Sequence, residues 1–368
     1  MKILIVSPKN KTVFNFRGDL IKDMISNGNE VVVTGPNRDF EEDVYSLGVS
    51  KFIEVPLVKD NMSVKGDLNY FKQLKQVIKA EHPDLVFSYT IKPVIYGSIA
   101  AKKAGVRKIY AMVTGLGRVY ASSGIKTKII RFITKHLYKK AFKSCNAVIF
   151  QNSDDLNTFV KEKYLSSGKA HLVNGSGVNM ERFKRTPLPE KISFLMIGRI
   201  IKEKGVFEYC EAAKIVKEKY PDVKFVLLGG FDNSIGAIKR EDIQPYIESN
   251  IIDFPGETKD PVAYYKNCSV FVLPSYYREG LPRTILEAMS CGRPIITTEW
   301  PGCREPVSDG VNGFLVPIKD SRFLADRMVL LICNKEIVSQ FSNESYLICK
   351  EQYDVNFVNK QMKKVIGY

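Results

Sequence analysis

A pair of basic residues, Arg199 and Lys204, stands in the stretch IGRIIKEKG. The stretch follows directly on a predicted strand, and glycines flank the pair at Gly198 and Gly205. Basic side chains at the carboxyl end of a strand are placed to meet an anion, and glycine lets the backbone approach a ligand closely. The pattern indicates a phosphate contact; the alternative is a solvated turn between a strand and a helix.

Two glutamates separated by seven residues, Glu279 and Glu287, lie in SYYREGLPRTILEAMSCGRP. Pro282 can serve as the first residue of a helix, where its missing N–H costs no hydrogen bond. The free amides and the dipole at such a helix start favour a phosphate. Carboxylates accept hydrogen bonds from hydroxyl groups, so two acids beside an anion site indicate a polyhydroxylated ligand. The alternative is a helix whose acids only complement its dipole.

Short apolar runs that alternate with longer amphipathic runs must position these residues. The predicted strands include KILIVS, EVVVTG, DLVFSYT, KIYAMVTG, NAVIFQNS, KISFLMIGR, VKFVLLGG, SVFVLPS and RPIITT. The first predicted helix covers residues 16–28, with Gly28 as its end. The alternation of strand and helix predicts parallel sheets covered on both faces.

A charged stretch with two prolines, KRTPLPEK, interrupts this alternation and is predicted to be a linker. We therefore expect two Rossmann-like, doubly wound α/β domains, over residues 1–185 and 186–350, and a helical tail over 351–368 that packs back on the first. Ligands of such sheets bind beyond the carboxyl ends of the strands, so the cleft between the domains is the expected site.

The composition excludes several classes of protein. The chain has 368 residues, 45% hydrophobic and 26% charged, which excludes a disordered or collagen-like protein. It has no run of about 18 apolar residues, so we expect no transmembrane helix. The seven cysteines form no CxxC, and the apolar start is too short for a signal peptide, which predicts buried, reduced thiols in the cytoplasm. No HxxxH or DxD occurs, so no metal site is expected.

The formal charge of +15 lies wholly in the first half, because residues 1–185 hold 31 Lys and Arg against 16 Asp and Glu. Its densest part, residues 125–143, contains no acid and predicts a basic amphipathic helix. The basic residues that recur at three- and four-residue steps are Lys128, Arg131, Lys135 and Lys139. We expect this helix to bind an anionic membrane surface; the alternative is a solvated helix face. Nucleic acid is not an expected partner, because no nucleic-acid-binding motif accompanies the charge.

The stretch from Phe194 to Pro317 resembles the retaining family 4 glycosyltransferases of the GT-B fold. The motifs that carry this resemblance are, in order, GRIIKEKG, VLLGG, EGLPRTILEAMSCGRPII and PGCREPVSDGVNGFLV. The first half is similar to bacterial members that add sugars to polyprenyl-diphosphate-linked acceptors. It shares with them HPDLVFSYTIKPVIYGSIAAKKAGV, VTGLG and QNSDD. The resemblance covers roughly residues 2–330.

The resemblance implies a role for each matching residue of the second half. Arg199 and Lys204 would clamp the diphosphate of a nucleotide-sugar, most often a UDP-sugar. Glu287 would bind the ribose hydroxyls, and Glu279 would hold the donor sugar and take part in catalysis. The other implied substrate-binding residues of this half are Gly198, Gly280, Leu281 and Pro282.

In the first half, the resemblance implies that Gly18 lies in a loop approaching the donor phosphate and the acceptor. Asn152, at the end of a strand, would face the cleft. Many relatives carry a histidine near the position of Thr114, where this chain has the sequence TGLG and no histidine. This departure leaves the identity of a general base open.

The implied activity is retaining transfer of a hexose or N-acetylhexosamine from a UDP-sugar to a polyprenyl-diphosphate-linked glycan, in surface polysaccharide or glycan assembly. It implies no metal or other cofactor, and a place at the inner face of the cell membrane. Breaking the anomeric C–O bond leaves negative charge on the diphosphate, which Arg199, Lys204 and the helix start near Pro282 are suited to stabilise. The alternatives are a GT-B-like nucleotide-sugar epimerase or hydrolase, and a non-catalytic sugar-nucleotide-binding subunit at the membrane surface.

Overall fold

Two parallel β-sheets, each flanked by helices, organise the chain in the computed structural model. The structure describes residues 1–58, 63–117, 125–232 and 237–368. In the helix that begins at Ile125, side chains are described from Lys128 onward. The two parallel sheets confirm the predicted α/β class.

The chain divides into two units, and the division falls earlier than predicted. Unit 1 comprises Met1–Ser176 and Val358–Tyr368, and unit 2 comprises Gly177–Phe357. The predicted linker therefore belongs to unit 2 instead of marking the boundary. The fully buried guanidinium of Arg293 holds this segment, because it donates hydrogen bonds to the carbonyl oxygens of Thr186 at 3.1 Å and Pro187 at 3.2 Å.

Unit 1 is built on seven strands. They are β1 (Lys2–Val6), β2 (Glu30–Gly35), β3 (Lys51–Glu54), β4 (Leu85–Tyr89), β5 (Lys108–Val113), β6 (Ala147–Phe150) and β7 (Ala170–Leu172). Neighbouring strands are parallel, in the order β3-β2-β1-β4-β5-β6-β7. The helices are α1 (Asn10–Ser26), α2 (Glu41–Tyr45), α3 (Val64–Glu81), α4 (Ser98–Lys103), α5 (Ile125–Ser144) and α6 (Ser153–Lys161), with a π-helical turn at Pro93–Gly97 and a 3₁₀ turn at Ser167–Lys169.

Unit 2 repeats this plan with six strands. They are β8 (Ser193–Ile197), β9 (Lys224–Leu228), β10 (Asp253–Gly256), β11 (Val270–Leu273), β12 (Ile295–Thr298) and β13 (Gly313–Val316). The parallel order is β10-β9-β8-β11-β12-β13. The helices are α7 (Val206–Lys219), α8 (Arg240–Glu248), α9 (Val262–Lys266), α10 (Arg283–Ser290), α11 (Ser321–Cys333) and α12 (Lys335–Ile348), with a 3₁₀ turn at Lys202–Lys204 and a π-helical turn at Cys349–Tyr353. A last helix, α13 (Val355–Ile366), begins at the end of unit 2.

The last helix, α13, leaves unit 2 and ends in unit 1. Its side chains Val358, Met362 and Ile366 are buried in the core that α1 forms against one face of the seven-stranded sheet. Beyond the helix, the Tyr368 hydroxyl donates a hydrogen bond to the carboxylate of Asp23 at 2.7 Å. Apolar burial and this polar contact fix the chain end to α1.

Both sheets are wound in the same order, outward in two directions from a central pair of strands. The winding direction reverses between β1 and β4 in unit 1 and between β8 and β11 in unit 2. Loops at the carboxyl ends of such a pair diverge to opposite faces of the sheet and leave a crevice, the usual ligand site of doubly wound sheets. The segments that follow β8 and β11 are therefore the expected ligand-binding segments of unit 2.

The structure bears on two expectations from composition, the absence of a transmembrane helix and the burial of the cysteines. Within the ranges that the structure describes, no helix combines the length and apolar character needed to cross a bilayer. Six of the seven cysteines are buried free thiols, but Cys333 is exposed, because it lies at the last position of α11.

Replacing Arg293 by alanine is expected to destabilise unit 2, because buried carbonyl groups of the 184–191 segment lose their donor. Hydrogen bonds to charged groups are worth about 1.5–3 kcal/mol, so we expect the free energy of unfolding to fall by about 3 kcal/mol in urea denaturation followed by circular dichroism. Arg322→Ala, at an exposed position of α11, is the control. Equal midpoints for the two variants would contradict the anchoring role.

Candidate functional site

The carboxyl end of β8 carries the two predicted cations. Arg199 follows the strand after Gly198, and Lys204 ends the 3₁₀ turn that leads into α7. The start of this segment, at Gly198, lies very close to the end of β9: a Cβ atom on Gly229 would come within 1.8 Å of the Gly198 carbonyl oxygen. Only glycine at position 229 lets the segment with both cations lie where it does.

Lys204 forms an ion pair with Glu279, and the two side chains are only 11% and 15% exposed. The segment after β11, which carries Glu279, is tied to the segment after β8. The backbone N–H of Tyr276 donates to the Glu203 carbonyl oxygen at 2.8 Å, and the Ser275 hydroxyl donates to the same oxygen at 3.2 Å. These bonds bring together two predicted site residues from opposite sides of the switch point, in an environment where reduced water contact strengthens their attraction.

Arg199 is paired with an acid that the sequence analysis did not single out. Its Nη1 donates to Asp232 Oδ2 at 2.8 Å, and its Cζ lies 5.4 Å from the centre of the Tyr277 ring. Burial opposes the charge, but Tyr277, Glu279 and Asp232 outweigh it and raise the pKa of Arg199. Asp232 follows the VLLGG stretch at the end of β9, and β9 lies next to β8 in the sheet. This position in the sequence could have indicated that Asp232 lies near Arg199.

A second missed residue, Gly302, fixes the backbone around Glu279. Its φ is +87°, and a Cβ atom there would lie 2.7 Å from the Glu279 carbonyl oxygen and 2.9 Å from that of Gly280. The segment after β12 therefore packs directly on the backbone of Glu279 and Gly280. Cys303, beside it, is buried, and burial together with Glu279 raises the pKa of its thiol to about 12, so the thiol remains neutral.

Glu287 lies in the second turn of α10. That helix begins at Arg283, and Pro282 is its N-cap with an extended ψ of 112°, which corrects the prediction that Pro282 is the first helical residue. Glu287 Oε1 lies 3.2 Å from Arg283 Nε, and Oε2 accepts a 2.8 Å hydrogen bond from the Tyr265 hydroxyl. Burial raises the pKa of Glu287, and Arg283 and Tyr265 offset this only in part.

The expectation that Gly18 lies in a loop is wrong. The structure places Gly18 inside α1, which begins at Asn10 and not at the predicted residue 16. A Cβ atom on Gly18 would lie 3.1 Å from the Leu47 side chain, so this glycine serves the packing of α1 against the segment after α2. Its expected contact with the substrates stays a prediction.

Two further predicted binding residues have structural contacts of their own. Asn152 is 1% exposed and is the N-cap of α6, where its side-chain oxygen accepts a hydrogen bond from the backbone N–H of Asp155 at 2.7 Å. Such a cap is worth about 1 kcal/mol. The Leu281 side chain is 8% exposed and belongs to the core of unit 2, so only its backbone could meet a ligand.

The predicted basic helix forms as α5, with its inner face made by Thr134, Tyr138, Ala141 and Phe142. Of the four predicted membrane-binding residues, Lys128 is exposed, and Arg131 and Lys139 are half-buried. Lys135 instead pairs with Glu162 at 2.8 Å and lies 5.1 Å from the Tyr164 ring centre. Three large apolar side chains of the helix are exposed: Ile129, Phe132 and Ile133, at 55%, 65% and 41%.

Both halves of the chain match known protein families. Residues 2–152 match the family described as glycosyl transferase 4-like, and residues 179–347 match glycosyl transferases group 1. A crystal structure of HepE from Anabaena in complex with UDP has a TM-score of 0.80 and 19% identity to this chain and covers 100% of both chains. This likeness confirms the predicted fold.

Two relatives match long stretches of the chain, one of them nearly all of it. An N,N'-diacetylbacillosaminyl-diphospho-undecaprenol alpha-1,3-N-acetylgalactosaminyltransferase of Campylobacter jejuni is 28% identical and covers 99% of this chain and 98% of its own length. A UDP-Gal:alpha-D-GlcNAc-diphosphoundecaprenol alpha-1,3-galactosyltransferase of Escherichia coli is 30% identical and covers 78% of this chain and 75% of its own length. The resemblance drawn from the motifs is confirmed.

Glu287→Gln is expected to raise the unfolding temperature of the ligand-free protein at pH 7. Because burial places the pKa of Glu287 above its value in the unfolded chain, ionising this carboxylate costs stability as the pH rises. The advantage of the variant should shrink towards pH 4.5, where the unfolded chain also holds the proton. Scanning calorimetry of both proteins between pH 4.5 and pH 7 measures the difference in unfolding temperature. A difference that does not change with pH would contradict the destabilising ionisation of Glu287.

Proposed function

The chain belongs to the family 4 glycosyltransferases of the GT-B fold, and we propose that it moves a hexose or N-acetylhexosamine from a UDP-sugar to a polyprenyl-diphosphate-linked glycan, with retention at the anomeric carbon. The names of its Campylobacter and Escherichia relatives support the acceptor class, and both describe alpha-linked products. The product would enter the assembly of a surface polysaccharide or a related glycan.

One observation carries the donor half of this proposal: the meeting of Arg199, Lys204 and Glu279 at the switch point of unit 2. In the proposed complex, Arg199 and Lys204 contact the diphosphate, and the backbone of Gly198 and Gly280 approaches it. Both cations are already held in place by acids, so binding requires an exchange of partners and little rearrangement. Preorganised charges of this kind lower the barrier because they need not reorganise during the reaction.

The proposed chemistry separates charge across the anomeric C–O bond. As that bond breaks, the sugar gains positive charge and the diphosphate gains negative charge, which the two cations and the amides at the start of α10 stabilise. Glu279, released from Lys204, accepts hydrogen bonds from sugar hydroxyls. The acceptor hydroxyl attacks from the side of the leaving group, and its proton passes to a diphosphate oxygen. We propose that these protein groups suffice without a metal ion or other cofactor.

The acceptor half of the proposal places α5 at the inner face of the cell membrane, where a polyprenyl carrier is anchored. Exposed apolar side chains beside basic ones are the features of an interfacial helix: the apolar groups enter the headgroup boundary and the cations attract anionic lipid. Among the side chains of α5 described from Lys128 onward, Ile129, Phe132 and Ile133 are exposed apolar groups, and Lys128 is an exposed cation next to them. Peripheral attachment would bring unit 1 to its lipid-linked substrate.

Lys204→Ala is expected to lower kcat about 10²–10³-fold, the usual cost of removing one donor that stabilises developing negative charge. The assay measures UDP release from the UDP-sugar that gives the largest thermal shift, with a polyprenyl-diphosphate-linked N-acetylhexosamine as acceptor and EDTA in the buffer. Lys202→Ala, exposed two residues earlier, is the matched control. Turnover within a few-fold of wild type in folded Lys204→Ala would remove Lys204 from the mechanism.

Charge reversal at Lys128, Arg131 and Lys139 is expected to weaken co-sedimentation with vesicles that contain anionic lipid. At about 1 kcal/mol for each basic residue near the surface, losing three cations reduces partitioning by about a hundredfold. Lys135 is left in place, because its pair with Glu162 is structural. Phe132→Ser tests the apolar contribution separately, and Lys163→Glu, at an exposed position outside α5, is the control. Vesicle binding unaffected by either change would exclude this surface.

A further inference from the structure

We infer that Tyr265 is a positioning residue for nucleotide recognition: its hydroxyl orients the Glu287 carboxylate so that the acid can receive the two ribose hydroxyls of the donor. The inference rests on the proposed function, which places the ribose at Glu287. Tyr265 lies in α9, just before β11, and stands outside every motif that carried the sequence analysis.

The tyrosine is a fixed donor. Its side chain is completely buried, and its ring packs edge-on to Phe183 with 5.8 Å between ring centres and against Phe271 at 5.7 Å. Aromatic contacts on two sides leave the ring one position. Its hydroxyl donates to Glu287 Oε2 at 2.8 Å, so the position of that oxygen is set by the core of unit 2.

The second carboxylate oxygen has a different partner. Oε1 of Glu287 lies 3.2 Å from Nε of Arg283, one helical turn earlier in α10. With one protein group at each oxygen, the plane of the carboxylate is defined from two directions. An ionised carboxylate offers about four acceptor positions, so each oxygen retains capacity for a further hydroxyl. A diol with two adjacent hydroxyls matches this arrangement.

The surroundings of Tyr265 and Glu287 act on the protonation of both groups. Burial and the Glu287 carboxylate raise the pKa of Tyr265 well above its usual range, so the phenol stays a donor. Burial raises the pKa of Glu287, and Arg283, Tyr265 and Arg182 offset this only in part. Cys291, at the other end of α10, is a neutral thiol because burial raises its pKa to about 12.

The test compares three ligands on wild type and Tyr265→Phe by isothermal titration calorimetry: UDP, 2′,3′-dideoxy-UDP and inorganic diphosphate. We expect UDP to bind about tenfold more weakly to the variant, as for the loss of one hydrogen bond to a charged group. Binding of the dideoxy nucleotide and of diphosphate should be unchanged, since neither offers the diol. In the transfer reaction, KM for the donor should rise about tenfold with kcat preserved.

Tyr264→Phe, the neighbouring half-buried tyrosine, is the matched control and should bind all three ligands as wild type does. A purely structural role for Tyr265 predicts equal weakening of all three ligands, and that result would overturn the inference. So would unchanged UDP binding in Tyr265→Phe.

Glu287→Gln separates this failure from failure of the proposed function. If Glu287→Gln abolishes the preference for UDP over its dideoxy analogue and Tyr265→Phe does not change it, the inference is wrong and the ribose site stands. If wild type itself shows no preference between the two nucleotides, the ribose site in the proposed function is wrong, and the inference falls with it.

Discussion

The proposed site in unit 2 depends on one electrostatic constraint: cations that are largely withdrawn from water need partners of opposite charge, supplied by the protein or by a bound anion. Lys204 is nearly buried, and an unpaired ammonium there would be costly. Glu279 supplies its partner, and Asp232 supplies one for Arg199. Acids beside these cations are therefore compatible with the proposed site for an anion. In the proposed complex, Glu279 exchanges the Lys204 ammonium for hydroxyl groups of the sugar.

The fold creates the conditions for this exchange. The winding order of unit 2 places the ends of β8 and β11 side by side, and their trailing segments carry Lys204 and Glu279. Two close backbone approaches complete the arrangement, at Gly229 against Gly198 and at Gly302 against Glu279. A side chain at Gly229 would displace the segment that carries Lys204, and a side chain at Gly302 would displace the backbone of Glu279. Sheet order brings the two charges to one edge, and the two glycines let neighbouring segments pack closely against the residues that carry them.

The central strands and the cation–acid motifs were predictable, because buried parallel strands are continuous apolar runs and because the charged residues directly follow them. The short edge strands β3, β7 and β10 were not, since the sequences KFIE, AHL and DFPG are partly polar and partly exposed. The start of α1 was missed because its N-cap, Lys9, makes no side-chain capping bond. The predicted helix over residues 16–28 already included Gly18, so the loop expected at Gly18 came from the resemblance alone. Asp232, Gly302 and Tyr265 act through tertiary contacts, which local pattern does not reveal.

Arg293 and Arg199 show how the partners of a structural cation differ from those of a cation proposed to bind a ligand. Arg293 is fully buried and donates to backbone carbonyls, which cannot move away without unfolding the segment that bears them. The Arg199 side chain is 49% exposed and is satisfied by the carboxylate of Asp232, which can rotate away and be solvated. A diphosphate cannot replace backbone carbonyl oxygens, because these are fixed by the fold. A carboxylate partner is itself an anion on a mobile side chain, so an anion of higher charge can replace it beside the arginine. By this criterion, the chemical type of an arginine's partner indicates better than the arginine's burial whether the side chain stabilises the fold or is available to bind a ligand.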